Sequence, residues 1–290
     1  GYFLEWLLCL APFAKRQLHV VFKGVTNHAS NTHCSVVSRL NILQVDICRA
    51  VAVPLLQKFG VGAESAGSFE IKVRKRGFAN GGGEVVFKCP IVNSLKPVSM
   101  VDGLSCLRNA CTEGKIQKVR GSACTAKCSS QIGTRMVDGA RKVLNNLLPD
   151  VYIWSDHNKG KDSGNSSGFA LSLAAQSTSG SVLSAEWCAV ENQAPEDVGR
   201  LVAHQLLEQV TLGGVVDSSL QATALLFMCL CPEDVSRLRL GPLTPYTIQC
   251  LRLYRDFFGV TFKIKPDTSN KTVLMSCLGS GFKNFARKST

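Results

Sequence analysis

Apolar positions recur along this chain at two periods, one near 3.6 and one of 2, and their alternation predicts its elements. Phe3, Leu7 and Leu10, with Leu4, Leu8 and Ala11, fall at helical spacing over residues 2–12, and Pro12 ends the run. Residues 18–24 alternate as a strand. Residues 28–44 hold no sustained period and read as an inserted loop. Residues 45–59 are helical again, with a break or kink expected at Pro54 and a stop at Gly60. Residues 69–73 and 84–89 complete a helix, strand, helix, strand, strand order.

The C-terminal part repeats that order. A helix over 218–230, capped at Asp217 or Ser218, leads to a strand over 235–240. A second helix over 244–257, opened by Thr244 and Pro245 and stopped by Gly259, leads to strands over 260–265 and 272–278. Between the copies lies a different pattern: a strand over 117–128, a helix over 131–147, strands over 151–155, 169–175 and 182–187, and an amphipathic helix over 195–210. The expected fold class is therefore α/β (α+β), with repeated units of two helices on a four-stranded sheet and an inserted small α/β domain. Its divisions fall at residues 1–96, 97–212 and 213–290. The first strand of the first copy is expected before Gly1.

Charge narrows the function classes. The 290 residues carry a formal net charge of +12, which favours a polyanionic partner, nucleic acid first and an anionic membrane surface second. Aromatic content of 7% gives little support to base stacking along a single-stranded channel. Thirteen cysteines, an odd number set mostly within apolar runs, match a reducing compartment. Neither Cys124 with Cys128 nor Cys106 with Cys111 has a second pair at zinc-finger spacing. No apolar run is long enough to span a bilayer as a helix. The opening GYFLEWLLCLAPF resembles a signal core but carries Glu5 and no basic leader, so it reads as an internal helix.

The candidate chemistry centres on VRKRGFANGGGEVVF, residues 73–87. Gly81, Gly82 and Gly83 can take positive φ and admit a partner's backbone. On an extended strand Arg74 and Arg76 share one face, so two guanidiniums would flank an anion nest. The same string also describes a hairpin with a solvated basic strand, which the string taken alone favours. It is not a Walker A loop, because no GK[ST] follows, and not a dinucleotide turn, because a strand follows the glycines. Lys118 and Arg120 on the insert's first strand, and Lys159 and Lys161 in the polar loop DHNKGKDSGNSSG, are further candidates for phosphate contact, with solvated positions as the alternative.

RKRGFANGGGEVVF, GKIQKVRG, PDVYIWSDHNKG, PEDVGRLVAHQLLEQV, GGVVDSSLQATALLFM and LGPLTPYTI, in that order, resemble the RNA 3'-terminal phosphate cyclase superfamily, most closely its eukaryotic ribosome-assembly branch. The resemblance covers nearly the whole chain, apart from residues 28–44 and 103–111, which read as insertions. It implies three repeats of two helices on a four-stranded sheet plus a small insert domain, with the first repeat and the opening strand of the second missing here. True cyclases of that superfamily pass a nucleotide through a histidine at the start of the second helix of the last repeat. Here Leu243 is the closest match, and no histidine follows His204. The resemblance thus implies a non-catalytic factor in pre-rRNA processing and small-subunit biogenesis, without cofactor. It would act in the nucleolus, with pre-ribosomal RNA, a ribosome-assembly GTPase and other processome components as partners and no membrane.

The alternative is an RNA-processing enzyme, a pre-rRNA endonuclease or a residual cyclase. His157 beside Asp156 is conceivable as a base, although a solvated loop residue is the simpler reading, and His204 reads as a core or interface residue. Asp102, Asp156, Asp162 and Asp217 form no recognisable carboxylate cluster in sequence. Phe78, Ala79 and Asn80 stand where cyclases carry a proline before the glycines, which implies a looser turn.

Overall fold

Among the described residues the chain forms three sheets, two of which share one apolar core with their helices while the third carries its own. The computed structural model describes residues 1–28, 43–62, 68–101 and 114–286. Most of the two expected insertions, 29–42 and 103–111, and Asp102 and Cys106 lie outside the described residues. The first unit comprises α1 (Tyr2–Leu10), a 3-10 turn (Ala11–Phe13), β1 (Leu18–Gly24), α2 (Val45–Ile47), α3 (Val53–Lys58), β2 (Glu70–Lys75) and β3 (Gly83–Cys89). A π turn over Cys48–Ala52 joins α2 to α3. It lies just ahead of Pro54, where the sequence calls for a break, and the wider turn accommodates the residue that cannot donate a backbone hydrogen bond. Leu43 and Gln44, expected in an insertion, are buried and belong to this unit.

The strands of the first unit pair in the order β1-β3-β2, all antiparallel. The last unit holds α6 (Gln221–Cys229), β9 (Val235–Leu240), α7 (Pro245–Phe258), β10 (Lys263–Asp267) and β11 (Thr272–Leu278). Its α7 opens as the sequence requires. Thr244 Oγ1 accepts from Thr247 N at 3.1 Å, Pro245 occupies the first turn, and Gly259 closes the helix in the left-handed conformation at φ 66°. By contrast α6 begins at Gln221, later than expected. The Asp217 carboxylate does accept from Leu220 N at 3.1 Å, so the capping group acts on a turn that precedes the helix.

The sheet of this unit has the order β10-β11-β9-β4, where β4 (Ser99–Met100) runs parallel to β9. Residues 99–100 therefore pair with the last unit, whereas the sequence placed the insert from residue 97. One apolar core joins both units. Phe59 and Phe13 lie 5.6 and 6.2 Å from Phe227, and Leu56, Phe87, Leu238 and Met275 are fully enclosed around them.

The insert is a four-stranded sheet, β6-β5-β7-β8, built from β5 (Ile116–Ala126), β6 (Val151–Asn158), β7 (Gly168–Ser177) and β8 (Val182–Cys188). β5 and β6 are parallel, joined through α4 (Ser130–Leu144), and α5 (Pro195–Leu212) packs beside α4. Val119, Met136, Leu144, Leu171, Leu183, Val198 and Leu206 form a separate core. Gly139 and Gly199 lie where the two helices touch, since a Cβ on either would strike the other helix's backbone.

Candidate nucleic-acid interface

The glycine-rich segment is where the insert meets the first unit, although Ala79, Asn80 and Gly82 keep exposed surface. The loop after β6 lies along it. Gly164 N donates to Arg76 O, Asn165 N to Gly81 O at 3.0 Å, Asn165 Nδ2 to Asn80 O at 3.0 Å, and Asn80 N to Ser166 Oγ at 3.2 Å. Gly81 N is taken by Phe78 O at 2.7 Å. Gly81 and Gly82 adopt φ of 73° and 79°, and a Cβ on Gly82 would stand 2.7 Å from Asn165 Oδ1. The glycines thus admit the chain's own loop, and of the anion nest expected there, the amides of Asn80 and Gly81 are already engaged.

Arg74 and Arg76 do not share a face. A β-bulge between Val73 and Lys75 breaks the alternation, so Lys75 is the residue opposite Glu84. Arg76 then turns inward. It is 2% exposed, donates to both oxygens of Asp46 at 2.5 and 3.0 Å, and donates through Nε to Asp156 Oδ2 at 3.0 Å. Asn27 Oδ1 lies 3.4 Å from the same guanidinium, and Asn27 Nδ2 donates to Gln44 Oε1 at 2.8 Å. Burial opposes the charge of Asp46, but Arg76 outweighs it and holds that carboxyl below its ordinary range. Arg76 is therefore an internal ion pair linking the helix at Asp46, the end of β2 and the insert, not a phosphate ligand. Arg74 remains outside, with its side chain 54% exposed and paired to Glu84 at 3.1 Å.

The other sequence candidates separate. Arg120 is held by Asp150 in a two-pronged pair at 2.7 and 2.9 Å, and Lys118 lies half-buried on the same strand. Lys159 and Lys161 are exposed beside the end of β2, where Arg76 N donates to Asp162 O at 3.1 Å. His157 lies within β6, not in a loop. Its Nδ1 sits 2.7 Å from Thr125 Oγ1, while its Nε2 is buried without a partner among the described residues. His204 is exposed on α5, neither core nor interface within this chain. Asp156 serves Arg76, and Asp162 is exposed. Asp217 is buried and accepts from Ser184 Oγ and Ser219 Oγ at 2.5 and 2.6 Å. Among the described residues no His, Cys, Asp and Glu cluster is arranged to hold a metal ion. Leu243, just before α7, packs partly buried against the main core. The loop holding it is tied to α6 by Gln221, whose Nε2 donates to Pro242 O and whose Oε1 accepts from Thr244 N.

What the structure does assemble is a cationic cleft of about 400 Å³ lined by Lys23, Gly24, Lys75, Gly82, Gly83 and Glu84. Lys23 on β1 and Lys75 on β2 both lie opposite Glu84 on β3 in the strand register, while the ion-pair partner of that carboxylate is Arg74. Neither Lys23 nor Lys75 was singled out from sequence. The signal was present in the alternation of His19, Val21 and Lys23, but which sheet face it marked depended on pairing with β3.

Comparison with known proteins supplies the class. Residues 111–211 match the insert domain of RNA 3'-terminal phosphate cyclase, and within that span residues 116–211 hold the third sheet and its two helices. The chain is 44% identical over 303 residues to a probable RNA 3'-terminal phosphate cyclase-like protein of Dictyostelium discoideum, covering 99% of this chain and 75% of that one. It is 44% identical over 299 residues to the human RNA 3'-terminal phosphate cyclase-like protein, covering 99% and 74%. An rRNA processing protein of Schizosaccharomyces pombe is 36% identical over 293 residues, with 99% and 74% covered. The chain belongs to the RNA 3'-terminal phosphate cyclase-like family.

Proposed function

We propose that this chain is a non-catalytic factor in pre-rRNA processing and small-subunit assembly that binds RNA without reacting with it. The observation that carries the reading is at the start of α7. A nucleotidyl carrier needs an imidazole lone pair aimed into a cleft, and this position holds Leu243, an apolar residue packed against the core. The segment from 213 to 290 contains no histidine to replace it. The relative named as an rRNA processing protein supports the process, and the basic balance of the chain supports an RNA partner. A nucleolar location, contact with a ribosome-assembly GTPase and membership of the small-subunit processome are part of the same proposal.

The test is incubation of the purified chain with labelled ATP and a 3'-phosphorylated RNA. The expected result is no nucleotide on protein and no cyclised RNA ends. A labelled protein band would overturn the reading and direct attention to a substitute nucleophile. An endonuclease reading finds less support, because Asp156 is committed to Arg76 and Asp217 is buried among hydroxyls.

A further inference from the structure

The strand register of the first unit places a set of side chains that the cleft only begins. Opposite residues in an antiparallel sheet share a face. The pairs Lys23 with Glu84, Val21 with Val86 and His19 with Lys88 put β1 and β3 in one plane of side chains. Glu70 with Lys88, Lys72 with Val86 and Lys75 with Glu84 extend it across β2. The opposite face carries Ile71, Val85, Phe87 and Cys89 into the core, so the first set lies on the other side of the sheet, where Lys23, Lys72 and Arg74 are exposed, Lys75 and Lys88 are half-buried, and the central Val86 is 3% exposed. The bulge adds Arg74 beside Lys75. Five cations, Lys23, Lys72, Arg74, Lys75 and Lys88, thus share a face with two carboxylates. Glu84 is paired with Arg74, and Glu70 with Lys88 at 3.3 Å. Lys23, Lys72 and Lys75 have no ion pair among the described residues, and Lys159 and Lys161 lie exposed at the same edge of β2.

We propose that this outward face of the β1-β3-β2 sheet binds the phosphate backbone of double-helical RNA. The inference rests on the RNA-binding reading above and names the surface that performs it. Three strands about 4.8 Å apart and five residues long offer a platform on the order of 10 by 14 Å, wide enough for a few phosphates. The face carries no Phe, Tyr or Trp, so it lacks the stacking platforms with which proteins hold single-stranded bases. Fixed cations without base readers suit a helix recognised by its backbone and shape. The charge also selects against an apolar protein partner, since Val21 and Val86 are the only apolar side chains in the set.

The experiment uses the full chain and a labelled RNA hairpin of arbitrary sequence, with fluorescence anisotropy between about 50 and 200 mM KCl. The Lys23→Ala, Lys72→Ala, Lys75→Ala triple variant is expected to bind at least tenfold more weakly at the lower salt. The slope of log K against log salt should fall by about 2 to 3, because each lost phosphate contact removes roughly 0.9. A matched variant, Lys263→Ala, Lys265→Ala, Lys271→Ala, on exposed positions of the last unit, should change affinity less than twofold. Lysine acetylation of the wild-type chain, read by mass spectrometry, provides a measure that needs no variant: RNA should protect Lys23, Lys72 and Lys75.

Unchanged affinity in the first variant, or equal loss in both, would overturn the surface while leaving RNA binding itself intact. So would acetylation unaffected by RNA, or tighter binding of an acidic peptide than of the hairpin on the same lysines. A wild-type chain that binds no RNA would overturn both this inference and the RNA-binding part of the proposed function.

Discussion

Replacing Arg76 with methionine should damage folding and leave RNA contact alone, the reverse of what its place in a basic run suggests. The change keeps most of the side-chain volume but removes the counter-charge from Asp46, itself 2% exposed. Among the described residues, Arg49, at 3.4 Å and half-exposed, would be the remaining cation beside that carboxylate, with the neutral Asn27 side chain as a further hydrogen-bond partner. Breaking a buried pair by removing one partner costs about 3–5 kcal/mol, because the other charge stays buried without compensation. Against a total stability of about 5–15 kcal/mol this is a large fraction. With a urea slope near ~3 kcal/mol/M, the unfolding midpoint should fall by about 1–1.7 M. The double variant Arg76→Met, Asp46→Leu should recover most of the loss, since it removes the two fully buried charges and leaves Asp156, whose side chain is 35% exposed, to solvent. Under conditions where Arg76→Met remains folded, its salt slope for RNA should equal that of the wild type. A midpoint shift below about 0.3 M, or a reduced salt slope, would refute the placement of Arg76 as an internal pair.

Two further outcomes follow from the same junction. Glu186 has one oxygen accepting from Gln44 N at 2.9 Å and the other buried without a partner among the described residues; burial, with Asp46 and Asp217 nearby, pushes its pKa well above the usual carboxylate range. The folded state therefore holds this proton more tightly than the unfolded chain, so its stabilising contribution is full below the unfolded pKa and is lost as pH rises towards the folded one. Glu186→Gln should raise the urea midpoint at pH 7 and flatten its decline above pH ~4.5, measured by denaturation across pH. Gly82→Ala should cost about 1–3 kcal/mol, since the left-handed φ and the Asn165 contact both oppose a Cβ. Limited proteolysis should then cleave within residues 159–168 faster than in the wild type, where the loop is pinned.

Periodicity and end signals determined much of this protein. The start of α5 at Pro195, the cap of α7 at Thr244 and Gly259, and strand β11 are local matters of spacing, capping and backbone freedom, so they stand in the sequence as they do in the fold. The repeat-insert-repeat order was legible for the same reason, and the ordered motifs pointed to the family. What the sequence could not settle was which groups face each other. The bulge after Val73 is one extra residue without a composition signal, yet it sends Arg76 inward and leaves Arg74 outside. Asp46 and Asp156 lie 30 and 80 residues from Arg76, and only the docking of the insert on the first unit brings the three charges together. The membership of Ser99 and Met100 in the last sheet was likewise hidden, because a two-residue strand carries no period and is defined by its parallel partner β9. The cationic face arises the same way. Lys23, Lys72, Lys75 and Lys88 are unremarkable in their own strands, and three-strand register alone makes them a surface. Local propensity is written residue by residue, whereas charge pairing and shared faces depend on long-range contacts that only the assembled chain creates.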